Sequence, residues 1–210
     1  FDFGAPMAER MLFIPSLGFC ILLSYILFLV LKKSRKILVC LLFIIPFYSF
    51  STVKRNSEWK DNDSLFFADI VKSPNSSRLN LFVSEIYIGK YLKEVSVENK
   101  SIYLDSAKYY IDRSMQILPD YSFAYLRLGL IYFYKGDYNS AADSWLHARK
   151  LDPQNPDGLK WTKQLSEWYI EEGKGQLANS NVDLARECFL TANRLDPMNE
   201  IAIQKLNILK

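Results

Sequence analysis

Residues 122–155 read SFAYLRLGLIYFYKGDYNSAADSWLHARKLDPQN. Within this stretch Tyr125, Leu128, Gly129 and Tyr132 recur at intervals of three or four residues, which puts them on one face of a helix. Ala141, Trp145 and Ala148 repeat the pattern on a second helix, and Pro153 closes it, because proline cannot continue the hydrogen-bond ladder. Residue size explains the pairing. Gly129 and Ala141 leave room where the two helices cross, while Tyr132 and Trp145 fill the space between them.

This spacing matches the helix–turn–helix signature W-x2-L-G-x2-Y…A-x3-F…P of the tetratricopeptide repeat. A second copy ends at Pro197, with Tyr169, Gly173, Ala185, Phe189 and Ala192 in register, and with Glu172 and Gln176 where leucine and tyrosine are expected. An earlier copy ends at Pro119, with Tyr87 on its first helix, Ala107 and Ile111 on its second, and Ser84 at the glycine position. The closing prolines Pro74, Pro119, Pro153 and Pro197 lie 45, 34 and 44 residues apart, so two copies carry about ten extra residues. Those residues are expected at 93–102, between two helices, and at 156–165, as an extended or additional helical turn. Residues 59–73 read as a lone second helix and 201–210 as the start of a capping helix. Stacked units of this kind bury a continuous core that no single repeat holds alone. Residues 54–210 are therefore expected to form one repeat domain of about three repeats.

The chain upstream has a different character. Residues 16–31 and 37–50 are apolar and are joined by Lys32-Lys33-Ser34-Arg35-Lys36. A helix over 11–31 would reach about 31 Å, enough for a hydrocarbon core of about 30 Å. One over 37–53 would reach about 25 Å, contains Pro46, and has Tyr48 as an interfacial anchor. Neither has a polar stripe. Four cations in the joint are the positive-inside signal, so the turn 32–36 is assigned to the cytoplasm. Residues 1–10 and everything after Val53 then face the other side, the periplasm or the lumen of the endoplasmic reticulum. The expected fold is all-α, a two-helix transmembrane hairpin within residues 1–53 followed by a tetratricopeptide-repeat α-solenoid.

Of the 26 basic and 23 acidic residues, the excess lies entirely in the first 53 positions, and the repeat part is balanced. A neutral array without a basic stripe argues against nucleic acid as a partner. Cys20, Cys40 and Cys188 have no metal-ligand spacing and read as packing residues, not a disulfide. Asn62-Asp63-Ser64, Asn75-Ser76-Ser77 and Asn99-Lys100-Ser101 match the glycan-acceptor pattern, which an Asn- and Ser-rich chain also produces by chance. The chain opens at Phe1 without an initiator Met, and residues 1–10 lack a signal peptide's basic start. A piece of a longer protein is expected.

The inner face of each first helix is where repeat arrays usually hold a partner. Here that face comprises Phe123, Leu126, Leu130, Phe133 and Tyr134, then Glu167, Ile170, Lys174 and Leu177. It is apolar and aromatic, unlike the Lys/Asn/Arg clamp of modules that grip a carboxylate, so an extended peptide or another part of the same protein is the expected occupant. The alternative is that neighbouring helices cover these side chains. Asp61-Asn62-Asp63 has the D-x-D form of metal-dependent nucleotide-sugar sites, but acids at a helix start are favoured there by the free N–H groups and the helix dipole. The one histidine, His147, has no partner for a metal or base role. Gly173-Lys174-Gly175 lacks the flanks of a phosphate loop. No metal site and no cofactor is evident. Glu9 and Arg10 stand at the predicted outer mouth of the first membrane helix. Arg10 has the planar fork that binds phosphate, or it serves as a snorkelling anchor.

The run Ala8-Glu9-Arg10-Met11-Leu12-Phe13-Ile14-Pro15-Ser16-Leu17-Gly18-Phe19, then the hairpin, then Asn56-Ser57-Glu58-Trp59-Lys60-Asp61 leading into repeats, resembles the corresponding junction of the transmembrane and tetratricopeptide-repeat O-mannosyltransferase family and its bacterial relatives. The resemblance implies a polytopic GT-C-type membrane glycosyltransferase. Such an enzyme takes sugar from a polyprenyl-phosphate donor and works on the extracytoplasmic side, where the repeats also lie. It further implies that the acidic catalytic loop precedes this chain, that no catalytic residue lies within it, and that Glu9 and Arg10 line the donor-lipid end of the site. The rival expectation is a non-catalytic membrane-anchored scaffold for assembling envelope proteins. On either reading the partners are a protein or peptide in the repeat groove and the membrane lipid.

Overall fold

A computed structural model describes residues 13–31 and 34–209. Among the described residues there are ten α-helices and no strand. The chain divides into two compact units, Phe1–Lys60 and Asp61–Lys210.

The first unit holds α1 (Phe13–Leu31) and α2 (Ser34–Glu58), which touch each other. α1 carries no charge; Leu17, Phe19, Ile21, Leu22, Tyr25, Ile26, Phe28 and Leu29 are 46–66% exposed, while Leu23 is half-buried. The hydroxyls of Ser24 and Ser51 fold back onto the carbonyls of Cys20 and Phe47, at 2.8 and 3.1 Å. α2 takes in Ser34-Arg35-Lys36, assigned above to the turn, and continues through Pro46 and past Val53 to Glu58. Arg55 pairs with Glu58 one turn on, and its guanidinium sits 5.7 Å from the Trp59 ring. Among the described residues no helix is long and apolar enough to cross a membrane. The span expected at 11–31 draws on residues 11 and 12, and the basic joint on residues 32 and 33, which lie outside the described ones.

The second unit is an all-helical solenoid of the tetratricopeptide type. α4 (Ser77–Lys93) pairs with α5 (Val97–Ile117), α6 (Ser122–Tyr134) with α7 (Tyr138–Leu151), and α8 (Pro156–Ala178) with α9 (Val182–Leu195). α3 (Asn62–Lys72) packs on α4 at one end, and α10 (Glu200–Ile208) on α9 at the other. Both flanking helices fall where the sequence placed them, although Trp59 precedes α3 and is exposed.

Small residues let the second helices come close: Ala107, Ala141, Ala148, Ala185 and Ala192 are all at most 1% exposed. Large ones fill the gaps. Ile111 and Ile131 lie in one apolar cluster and Trp145, Leu165 and Phe189 in the next, while Tyr125 and Tyr132 pack against both. The core is thus continuous from repeat to repeat. Most helix starts are capped by side chains that accept from orphan N–H groups: Asp61, Ser76, Asp137, Asn155 and Asn199.

A hydroxyl on the first helix of a repeat ties it to the second. Ser77 donates to the Ser114 carbonyl at 3.1 Å, and Ser166 donates to the Ala192 carbonyl at 2.9 Å. Ser114 returns a bond to the Ser77 carbonyl at 2.9 Å. Ser84, at the glycine position, is fully buried with its hydroxyl unpartnered.

The extra residues of the long repeats are helical. At 156–165 this was expected, and they form the front of the 23-residue α8. At 93–102 a longer connection was expected, but only residues 94–96 separate α4 from α5. Lys93 ends α4 and residues 97–102 belong to the 21-residue α5, while Glu94 closes the turn between them by accepting from the N–H groups of Val95 and Ser96 at 2.9 and 3.0 Å.

Candidate protein-interaction surface

The side chains expected to line the groove separate into two sets. Leu126 is 0% exposed and Ile170 3%, so both are core residues and neither meets a partner. The lengthened α8 is the cause for Leu126: a Cβ built on Gly158 would sit 3.5 Å from its side chain, and Leu165 shares its cluster. Leu130 packs half-buried against the same cluster. Phe123 remains 43% exposed, edge-on to Tyr121 at 5.9 Å. Lys174 is half-exposed and paired with Glu171 at 2.7 Å.

Phe133 and Tyr134 belong to something larger. Tyr91 of α4 lies 4.9 Å from Tyr134 of α6, and Tyr134 meets Phe133 at 6.0 Å. Phe133 meets Tyr138 of α7 at 5.4 Å, Tyr138 meets Trp168 of α8 at 4.2 Å, and Trp168 meets Tyr169 at 5.0 Å. Six rings therefore run in unbroken contact across all three repeats. Trp168 is exposed; Tyr91, Phe133, Tyr134 and Tyr138 are half-buried, and Tyr169 is buried. The inner end is fixed by the Tyr169 hydroxyl, which donates to Asn139 Oδ1 at 2.7 Å. Burial, followed by the nearby Cys188, pushes the Tyr169 phenol up to about 12, and burial raises that of Tyr134. Both stay neutral at physiological pH. Such a strip offers aromatic surface of the kind that packs against an extended peptide. Lys100 lies 5.5 Å from the Tyr91 ring at one end.

Residue-by-residue matching to the repeat pattern missed Tyr91, Tyr138 and Trp168, because their positions are not groove positions within a single repeat. The high aromatic content, 15% of the chain, was the available signal. It also missed a polar ladder joining the first helices. Arg127 Nε donates to Glu85 Oε1 at 2.6 Å, and its guanidinium lies 5.6 Å from the Trp161 ring, so α4, α6 and α8 are held in register by one side chain.

Other candidates resolve structurally. Asp61 caps α3 by accepting from the Ser64 N–H at 2.7 Å, and Asp63 lies in the first turn; no cluster of metal-ligating groups occurs among the described residues. Gly173 lies under Phe189, where an added Cβ would sit 2.9 Å from the ring, so it is the crossing glycine of its repeat. His147 is exposed with its ring 4.2 Å from Tyr125. Glu9 and Arg10 lie outside the described residues.

Residues 122–155 match the family model described as the tetratricopeptide repeat. The human protein O-mannosyl-transferase TMTC3 is 25% identical over 211 residues, covering 99% of this chain and 21% of its own length. The Xenopus laevis protein O-mannosyl-transferase tmtc2 is 39% identical over 87 residues, 39% of this chain and 10% of that protein. A thermophilic repeat protein of Thermus thermophilus aligns with 20% identity and a TM-score of 0.44 over 69% of each chain. This chain spans about a fifth of the length of TMTC3. It contains a tetratricopeptide repeat at 122–155 and is similar, from end to end, to the transmembrane and tetratricopeptide-repeat O-mannosyltransferase family.

Proposed function

We propose that this chain is the C-terminal part of an integral-membrane GT-C-like glycosyltransferase that transfers sugar from a polyprenyl-phosphate donor to a protein. Its last two membrane spans are the stretches 11–31 and 37–53, with the joint at residues 32–36 in the cytoplasm. The repeat array stands on the extracytoplasmic side and holds the acceptor along the Tyr91–Tyr134–Phe133–Tyr138–Trp168 strip. One observation carries this reading. An uncharged helix with apolar side chains on all sides, a basic joint and a repeat array occur here in one order, and the similarity to TMTC3 runs through all three. The folded-back hydroxyls of Ser24 and Ser51 satisfy themselves within their own helices, as lipid requires.

In this arrangement Glu9 and Arg10 line the donor-lipid end of the site, where the planar fork of an arginine suits a phosphate. The rings bind acceptor without touching the reacting atoms, so they act on affinity. The test is transfer by the full-length protein. Trp168→Ala with Tyr138→Ala should raise the KM for a protein acceptor about tenfold and spare kcat. Arg10→Ala should raise the KM for the donor. If neither parameter moves, the site assignments fail. If the full-length protein has no transferase activity, the membrane-anchored scaffold takes its place.

A further inference from the structure

We propose that Asn99 is an acceptor site for an N-linked oligosaccharide, an inference that rests on the extracytoplasmic placement of the repeats proposed above. Three Asn-x-Ser triplets occur between residues 62 and 101, and all three asparagines are exposed. They differ in the hydroxyl two residues on, which the acceptor motif requires. Ser64 is half-buried beside the Asp61 cap. Ser77 is half-buried, and its hydroxyl is engaged with both the carbonyl and the hydroxyl of Ser114. Ser101 is exposed together with Asn99. The Asn99 amide nitrogen has only a long 3.5 Å contact with Glu94 Oε2. In the folded chain the third triplet is therefore presented whole.

The surroundings point the same way. Val95 is 89% exposed, Val97 83%, Leu92 59% and Ile102 55%, an apolar tip around the α4–α5 turn that repeat stacking does not cover. This tip lies in the residues by which the repeat exceeds its usual length, so a bulky group on Asn99 displaces no packed side chain. A glycan there is a large hydrophilic cover set beside an apolar patch, which keeps the patch in water. The donor is a polyprenyl-diphosphate-linked oligosaccharide. Asn99 Nδ2 forms a bond to C1 of the first sugar, the bond from C1 to the diphosphate oxygen breaks, the lipid diphosphate leaves with the electron pair, and Nδ2 gives up one proton.

The full chain, carrying an added Asn-Gly-Thr acceptor after Lys210, is translated into endoplasmic-reticulum microsomes that hold such a donor. The expected product carries an endoglycosidase-sensitive glycan on the added site and another that Asn99→Gln removes. If the added site is modified and Asn99→Gln leaves the mobility pattern unchanged, the Asn99 assignment is overturned while the placement of the repeats stands. If neither site is modified, the placement and the assignment fall together.

Discussion

The indole of Trp145 occupies the space that a side chain at Gly129 would need: a Cβ built on Gly129 would sit 2.2 Å from Trp145 Nε1. The indole N–H is satisfied in place, donating to the Leu126 carbonyl at 3.1 Å. Gly129→Ala should therefore destabilise the array by about 1–3 kcal/mol, as overpacking does, and Gly129→Leu by at least as much. Urea unfolding of residues 61–210 measures it. Combining Gly129→Ala with Trp145→Phe should cost less than the sum of the two single changes, because the residues are in contact. Strict additivity would mean that the indole has moved aside.

Much of this packing was legible from residue type and spacing. Gly129 and Ala141 read as the small residues of a helix crossing and Trp145 as a filler, with Gly173 and Phe189 in register in the next copy, because a helix period of 3.6 residues groups them on one face; that each glycine lies under its ring comes from the structure. The two buried groove residues were not legible. Leu126 and Ile170 occupy inner-face positions of a regular repeat, and only the packing of the lengthened α8 shows that its front covers Leu126. Repeat length alone places the extra residues at 93–102 between two helices and does not say that a three-residue turn, closed locally by Glu94, lets 97–102 join α5.

The turns after α6 and α8 make the same left-handed step with different residues. Gly136 has φ +79°, and Ser180, fourteen residues after Ser166 just as Gly136 follows Ser122, has φ +63°. A Cβ is disfavoured there, so Ser180→Gly should stabilise the array by about 0.5–1 kcal/mol and Gly136→Ala should destabilise it by a similar amount. Opposite shifts in thermal midpoint are the expected result.

Acid should loosen α7 through its cap. The Asp137 carboxylate is held below its ordinary value of 3.8, chiefly by hydrogen bonding to Ser140, whose N–H it accepts at 3.0 Å. A carboxylate lowered in the folded state contributes fully above its unfolded value, and that contribution is lost as pH falls through the lower folded value. Asp137→Ala should cost about 1 kcal/mol at neutral pH, and the difference from the parent chain should shrink below pH about 4. Asp137→Asn, which still accepts a hydrogen bond, should retain most of the stability at both pH values.

Arg149 couples one repeat to the next. Its Nη1 donates to Thr162 Oγ1 at 3.1 Å and to the Leu195 carbonyl at 2.8 Å, so a residue of α7 holds the front half of α8 and the end of α9. Arg149→Met should cost about 1.5–3 kcal/mol, the range for hydrogen bonds to a charged group. Hydrogen exchange should accelerate in α8 and α9 more than in α4 and α5. Uniform acceleration would show that the array opens only as a whole.

The most direct measurement is the side of the membrane on which each segment lies. Intact cells or sealed vesicles carrying the full-length protein are treated from the extracytoplasmic side with an amine reagent that cannot cross lipid, and the modified lysines are mapped. The account predicts modification of exposed repeat lysines such as Lys150 and Lys160, with Lys32 and Lys33 protected until the membrane is opened. Labelling of Lys32 and Lys33 with the repeats protected would contradict it.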